Sequence, residues 1–384
     1  MRFEFATAGR ILFGCGVLRE VGPAARAMGR RALVAVGCPE PLAARLFEQL
    51  RASGVDWAPL QVSAEPTIEL VRRGVAIARQ QDCQLVIGIG GGSALDAGKA
   101  IAALLTNRGD PLDYLEVIGR GQTLQSPAAP YIAIPTTAGT GAEVTRNAVL
   151  ASPEHRVKAS LRSPLMLPRL AAVDPELTLD LPPEITAATG LDALTQLIEP
   201  FVSVRANPMT DLFCLEGIAR VARSLERACC DGGDVAARSD MALASLLGGL
   251  ALANAGLGAV HGFAAPVGGM FEAPHGAVCA ALLPHVILTN IRALHARAPD
   301  GEALARYRRV AQILTGRADV EPEDSAKWVA ELSRRLRIPA LAAYGITAAH
   351  TEALAEAAAR ASSMKGNPLP LTPEELRGIL LAAL

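Results

Sequence analysis

The sequence predicts a two-part α/β plus all-α chain: a parallel-sheet domain over residues 1–183 followed by an all-helical domain over 184–384. Three observations predict it. A chain of 384 residues with 51% hydrophobic content is long enough for two cores. From residue 32 to about 174, short apolar runs alternate with helical patterns, the signature of a parallel sheet covered by helices. After Pro182-Pro183 the pattern is helical to the end.

In the first part, Ala32–Val36 reads as a strand, Pro41–Ala52 as a helix, Leu60–Val62 as a strand and Thr67–Gln81 as a helix. Leu85–Ile89 is then an apolar run that breaks into Gly90, Gly91 and Gly92 before an amphipathic helix. Glycines let the backbone turn its N–H groups outward, and a helix N-terminus adds unpaired amides and a positive dipole end. Together they form a cradle for a pyrophosphate. Ser93 is expected to cap the helix, Asp96 to reach a ribose hydroxyl and Lys99 a phosphate. The plain alternative is a strand-to-helix turn that is glycine-rich for steric reasons alone.

Two more strands are expected at Pro130–Pro135 and Leu170–Val173. The loop after the first of these, Pro135 to Glu143, carries Thr136, Thr137 and Thr140 among glycines at the sheet edge where ligands bind in open parallel sheets. Taken alone it is an ordinary turn; a second such loop beside the glycine cluster favours a nucleotide site.

In the helical part, Asn207-Pro208 and the Thr372-Pro373-x-Glu375 capping box mark helix starts. Leu243–Val260 carries no charge and is read as one central buried helix ending at His261, rather than a membrane span. Asp192 and Gln196 lie four residues apart and so share a helix face. His261 and His275 stand in apolar, glycine-rich surroundings. One carboxylate and two imidazoles suit Fe²⁺ or Zn²⁺; the alternative is two packed core histidines and a capping aspartate.

With 37 basic and 38 acidic residues in no long blocks, the chain offers no footprint for nucleic acid or an anionic membrane, so a small metabolite is the expected ligand. Seven scattered cysteines, with no C-x-x-C pair, point to reduced thiols in the cytoplasm. No signal peptide is seen at the N-terminus.

At this point the chain resembles the iron-containing (group III) alcohol dehydrogenases, in the superfamily of dehydroquinate synthase and glycerol dehydrogenase. The residues that carry the resemblance are Gly9–Gly14, Gly90–Lys99, Thr136–Glu143, Ser163-Pro164-Leu165, Val173-Asp174-Pro175, Asp192–Ser203, Gly258–His275 and Asn367-Pro368. It implies a Rossmann-like domain binding NAD or NADP, a helical domain holding a divalent metal, a cleft between them where hydride passes, and a homodimer. The implied metal ligands are one aspartate and three histidines: Asp192, His261 and His275 match three places, and the fourth holds Gln196, a neutral and weaker donor. Ala265 stands where many members carry a histidine near the substrate. Gly37, ending the second strand, stands where members preferring NAD carry an aspartate, so NADP is expected to be tolerated, with Arg45 or a neighbouring arginine as a partner for its 2′-phosphate.

The expected activity is hydride transfer between NAD(P) and a small alcohol or aldehyde, assisted by Fe²⁺ or Zn²⁺ that Gln196 weakens or abolishes. Other readings are a metal-independent reductase like the maleylacetate reductases, a hydroxyacid–oxoacid transhydrogenase acting on an oxoacid, and a nucleotide-binding module without catalysis.

Overall fold

The computed structural model describes residues 2–155 and 157–384. They divide into two compact units: an α/β unit of Phe5–Thr137 with Gly141–Asp180, and a helical unit of Leu181–Leu384 to which Ala138–Thr140 and the N-terminal segment up to Glu4 also belong.

In the α/β unit the strands are β1 (Ile11–Phe13), β2 (Arg31–Gly37), β3 (Asp56–Gln61), β4 (Leu85–Gly90), β5 (Tyr131–Pro135), β6 (Asn147–Ser152), β7 (Val157–Arg162) and β8 (Leu170–Val173). Six of them form a parallel sheet in the order β1-β8-β5-β4-β2-β3, while β6 and β7 make a separate antiparallel hairpin. Helices α1 (Val21–Met28), α2 (Glu40–Ala52), α3 (Ile68–Gln80), α4 (Gly92–Thr106) and the short α5 (Pro111–Tyr114) connect them.

Alternate residues of each strand enter different cores, as the two-residue period of a pleated strand requires. Val34, Ile87 and Ile132 pack with Leu46 and Leu50 of α2 on one face. Leu33, Val86 and Tyr131 pack with Val71 and Ile101 of α3 and α4 on the other. Both faces being covered explains why these strands read as unbroken apolar runs. The chain leaves β2 outward to β3 and returns across it to β4, so the strand order reverses between β2 and β4. Gly37 and Gly90, paired in register, end those two strands side by side.

The helical unit contains α6 (Pro183–Val202), α7 (Pro208–Cys230), α8 (Val235–Ala255), α9 (Ala259–Met270), α10 (His275–Arg297), α11 (Glu302–Thr315), α12 (Glu323–Arg335), α13 (Thr351–Arg360) and α14 (Pro373–Ala382). Asn207 and Thr372 cap α7 and α14 through complete capping boxes. Helix α6 is packed by α7, α8 and α10 and is buried almost continuously from Gly190 to Val202.

The uncharged run Leu243–Val260 is not one helix. It breaks at Gly256, whose φ of 75° is a left-handed conformation that ends α8, so His261 sits in the first turn of α9 instead of at a helix end. Helices α8 and α10 are long and apolar enough to cross a membrane by length and composition, but most of each apolar window is buried inside the protein.

Candidate metal centre and phosphate cradle

The cradle is built by close approach of β2, β4 and α4. Gly90 has a φ of 149°, and a Cβ there would lie 2.8 Å from the Cβ of Ala94 and 2.9 Å from the backbone of Gly37. A Cβ on Gly37 would meet the same Ala94 methyl at 2.7 Å. Only glycines let the strand ends draw this near the helix start, at the reversal of strand order where open α/β sheets bind ligands. Thr136 is buried and its amide donates to the carbonyl of Gly90 at 2.9 Å; Thr137 lies beside Gly91, 3.4 Å from where a Cβ would project. Thr140 belongs to the helical unit.

Three expectations are corrected here. Ser93 is not the cap: α4 starts at Gly92, Gly91 occupies the cap position, and no side chain closes the helix end. Lys99 does not point at a phosphate. Its ammonium is fully buried and donates to the carbonyls of Ala142 and Asn147 at 2.8 and 2.7 Å and to Thr145 Oγ1 at 2.8 Å. Asp96 is drawn to the same place, accepting from the Val149 amide at 3.0 Å and lying 3.6 Å from Lys99 Nζ, so both residues brace β6. Arg45 is paired with Glu176 at 3.3 Å.

Burial pulls the Lys99 pKa below the usual lysine range despite Asp96 and Glu143 nearby, and pushes Glu143 up to about 7. Charged groups this deep are tolerated because Lys99 donates to two carbonyls and a hydroxyl, while Asp96 accepts from a backbone amide beside the ammonium.

The helical unit gathers Asp192, His261, His275 and Cys279 so that one donor atom from each lies within 4.8 Å of all the others. Asp192 is buried on α6 and its Oδ1 has no hydrogen-bond partner among the described residues. It faces Nε2 of His261 at 3.4 Å and Nε2 of His275 at 3.6 Å. Cys279 Sγ lies 4.0 Å from His261 Nε2 and 3.7 Å from His275 Nε2. A buried carboxylate oxygen without a hydrogen bond, ringed by imidazole nitrogens, is costly unless a cation completes it, so these residues fit a divalent metal.

Asp192 and His261 are each held from behind. Gln196, one turn after Asp192, donates its amide to Asp192 Oδ2 at 3.0 Å, which turns Oδ1 toward the site and leaves Gln196 Oε1 buried and unpartnered. Glu199 lies two turns after Asp192 on α6. Its carboxylate accepts from the Val260 amide at 2.7 Å and sits 2.6 Å from His261 Nδ1, so it closes the N-terminus of α9 and fixes the tautomer that presents Nε2 to the site. Gly258 makes room, because a Cβ there would fall 2.9 Å from Glu199 Oε1 and 3.1 Å from Asn367 Oδ1. Asn367 also caps α9, accepting from the Ala259 amide at 3.2 Å, and is locked to Asn290 by paired amide hydrogen bonds.

Burial alone drives both imidazoles toward neutrality, but Cys279, Glu199 and Asp192 outweigh it at His261, whose pKa stands well above the ordinary value. Against the same burial, Cys279 and Asp192 raise His275 to about 9. Burial opposes ionisation of Asp192, yet His275, His261 and Gln196 hold it below the usual carboxylate range. The pocket therefore attracts positive charge.

Glu199 and Cys279 stand at this cluster and were passed over by the sequence reading. Both follow from helical spacing: Glu199 shares a face with Asp192, and Cys279 is the i+4 neighbour of His275. Ala265, one turn after His261, is partly exposed. Of the four remaining histidines, His155 contacts Ser152, His295 pairs with Glu323, His350 accepts from the Thr347 amide, and His285 lies partly buried on α10.

Two family models match in sequence order, iron-containing alcohol dehydrogenase over residues 8–175 and the C-terminal domain of the Fe-containing alcohol dehydrogenase family over 186–384. Alcohol dehydrogenase 4 of Saccharomyces cerevisiae is 38% identical over 344 residues, covering 89% of this chain and 87% of the relative. The crystal structure of a 1,3-propanediol oxidoreductase superposes with a TM-score of 0.92 at 32% identity, covering 100% of both chains. A sulfoacetaldehyde reductase from Bifidobacterium kashiwanohense, solved in complex with NAD⁺, has a TM-score of 0.86 at 28% identity and covers 100% of this chain and 99% of its own. The chain belongs to the iron-containing alcohol dehydrogenase family and is an oxidoreductase of that type.

Proposed function

We propose that the protein interconverts a small alcohol and its aldehyde with NAD or NADP as cofactor, using a divalent metal held by Asp192, His261 and His275. The observation that carries this reading is the unpartnered Oδ1 of Asp192, buried against Nε2 of both histidines. When bound, the cation supplies Lewis acidity to the substrate oxygen and the nicotinamide carries the hydride. The chain's own residues prepare that chemistry. Gln196 aims Asp192, Glu199 fixes the His261 ring, and burial on α6 and α9 keeps water from Asp192 and His261. Ala265 carries no titratable group, so its side chain moves no proton.

The glycine cradle and the open first turn of α4 are read as the pyrophosphate site. Gly37 brings no carboxylate to the end of β2, and its contact with Ala94 leaves no room for one, which supports acceptance of NADP. Seven free thiols support a cytoplasmic location, and the family suggests a homodimer.

The test uses metal-stripped protein with and without added Fe²⁺ or Zn²⁺, assayed for NADH and NADPH oxidation against short aldehydes and maleylacetate. Metal-dependent aldehyde reduction is expected. Metal-independent reduction of maleylacetate alone, or cofactor binding with no turnover, refutes it.

A further inference from the structure

We propose that Cys279, and not Gln196, supplies the fourth protein donor of the metal centre, giving an aspartate–histidine–histidine–thiolate set that favours Zn²⁺ over Fe²⁺. This rests on the reading that Asp192, His261 and His275 hold a metal.

The geometry comes first. A tetrahedral ion with bonds of about 2.0–2.3 Å places its donors roughly 3.3–3.7 Å apart, whereas adjacent donors of an octahedral ion lie about 3 Å apart. The separations here are 3.4 Å and 3.6 Å from Asp192 Oδ1 to the two imidazoles, and 3.7 Å and 4.0 Å from Cys279 Sγ to the same nitrogens. Three of these fall within the larger spacing, the fourth exceeds it, and none is near 3 Å. The thiol sits there because His275 opens α10 and Cys279 follows one turn later on the same face, fully buried.

Charge is the second argument. Asp192 and a Cys279 thiolate together neutralise a divalent ion among largely buried donors, while Asp192 with a neutral Gln196 leaves one positive charge uncompensated there. Binding in this way expels the thiol proton to solvent as the metal–sulfur bond forms, with no change of oxidation state. Gln196 spends its nitrogen on Asp192 Oδ2 and keeps Oε1 buried and unpartnered, so all it offers an ion is a neutral amide oxygen, a weaker donor than a thiolate. Finally, a thiolate is a soft donor, and replacing an imidazole by one moves the site away from Fe²⁺ and toward Zn²⁺ or Co²⁺.

The test is a titration of the full-length, metal-stripped protein with Co²⁺ and, separately, Zn²⁺. At one equivalent of Co²⁺ the protein is expected to show thiolate-to-cobalt charge-transfer absorption in the near ultraviolet. Cys279→Ser should abolish that band and weaken Zn²⁺ binding by more than about 100-fold, beyond the 10–100-fold typical of losing a supporting residue. Gln196→Ala should keep the band and lose about tenfold in affinity. Cobalt bound by the unaltered protein without the near-ultraviolet band, or a Cys279→Ser protein that keeps Zn²⁺ affinity while Gln196→Ala loses it, returns the fourth place to Gln196. Failure of the unaltered protein to bind either ion overturns instead the metal reading on which this inference rests.

Discussion

Replacing Lys99 by Met separates the two roles open to that side chain. The substitution keeps length and apolar volume but removes an ammonium that makes three hydrogen bonds of 2.7–2.8 Å, to Ala142, Thr145 and Asn147, and lies 3.6 Å from Asp96. Each hydrogen bond from a charged donor contributes about 1.5–3 kcal/mol, yet they do not add, because Asp96 and Glu143 can take up protons once their counter-charge is gone. Breaking a buried ion pair from one side costs about 3–5 kcal/mol, and that range is the expected loss. The chain has two tryptophans, Trp57 on β3 and Trp328 on α12, so in a Trp328→Phe background Trp57 fluorescence follows the α/β unit alone. With a urea slope of roughly 2–3 kcal/mol/M, the midpoint should fall by about 1–2 M. Cofactor affinity of the folded protein should stay within about threefold. An unchanged midpoint together with a tenfold or greater loss of NAD(P) affinity refutes the bracing role and makes Lys99 a phosphate ligand.

Glu143→Gln tests the same cluster by pH. Its folded-state pKa of about 7 exceeds the unfolded carboxylate value, so the folded protein holds the extra proton and this group's contribution is full at low pH and lost as pH rises through 7. The variant should be more stable than the parent at pH 8 by up to about 3 kcal/mol and equal to it near pH 4.5 in urea unfolding. Glu199→Gln should lower Zn²⁺ affinity about 10–100-fold in chelator competition, because His261 loses the carboxylate that fixes its ring. Gly258→Ala keeps an ordinary backbone conformation, with φ of −135°, so its cost is steric: Glu199 and Asn367 must both retreat, lowering stability by about 1–3 kcal/mol and weakening metal binding with it.

The sheet was legible because its strands are buried on both faces and bounded by turn residues, as Leu85–Gly90 shows. β1 was not, since three residues at a sheet edge carry no periodicity, and the β6–β7 hairpin was hidden among the polar residues Asn147, Ser152, Lys158 and Arg162. Counting uncharged positions merged α8 and α9, although Gly256 and Gly258 already marked the break. The site was legible in Asp192, His261 and His275, whose residue types announce metal chemistry. Gln196 can be read in two ways. Taken as a ligand, an amide in place of an imidazole looks like a weakened centre; with its nitrogen turned onto Asp192, it is the residue that leaves Oδ1 free for a cation. Whether such a centre is weak then depends on what stands on the opposite side, and there Cys279, overlooked because cysteines were weighed only as reporters of redox compartment, contributes a potential negative donor that a histidine at position 196 would not have supplied. A dication buried between Asp192 and a thiolate is better neutralised than one held by a single carboxylate and three neutral imidazoles, so the loss of the third histidine does not by itself predict loss of the metal.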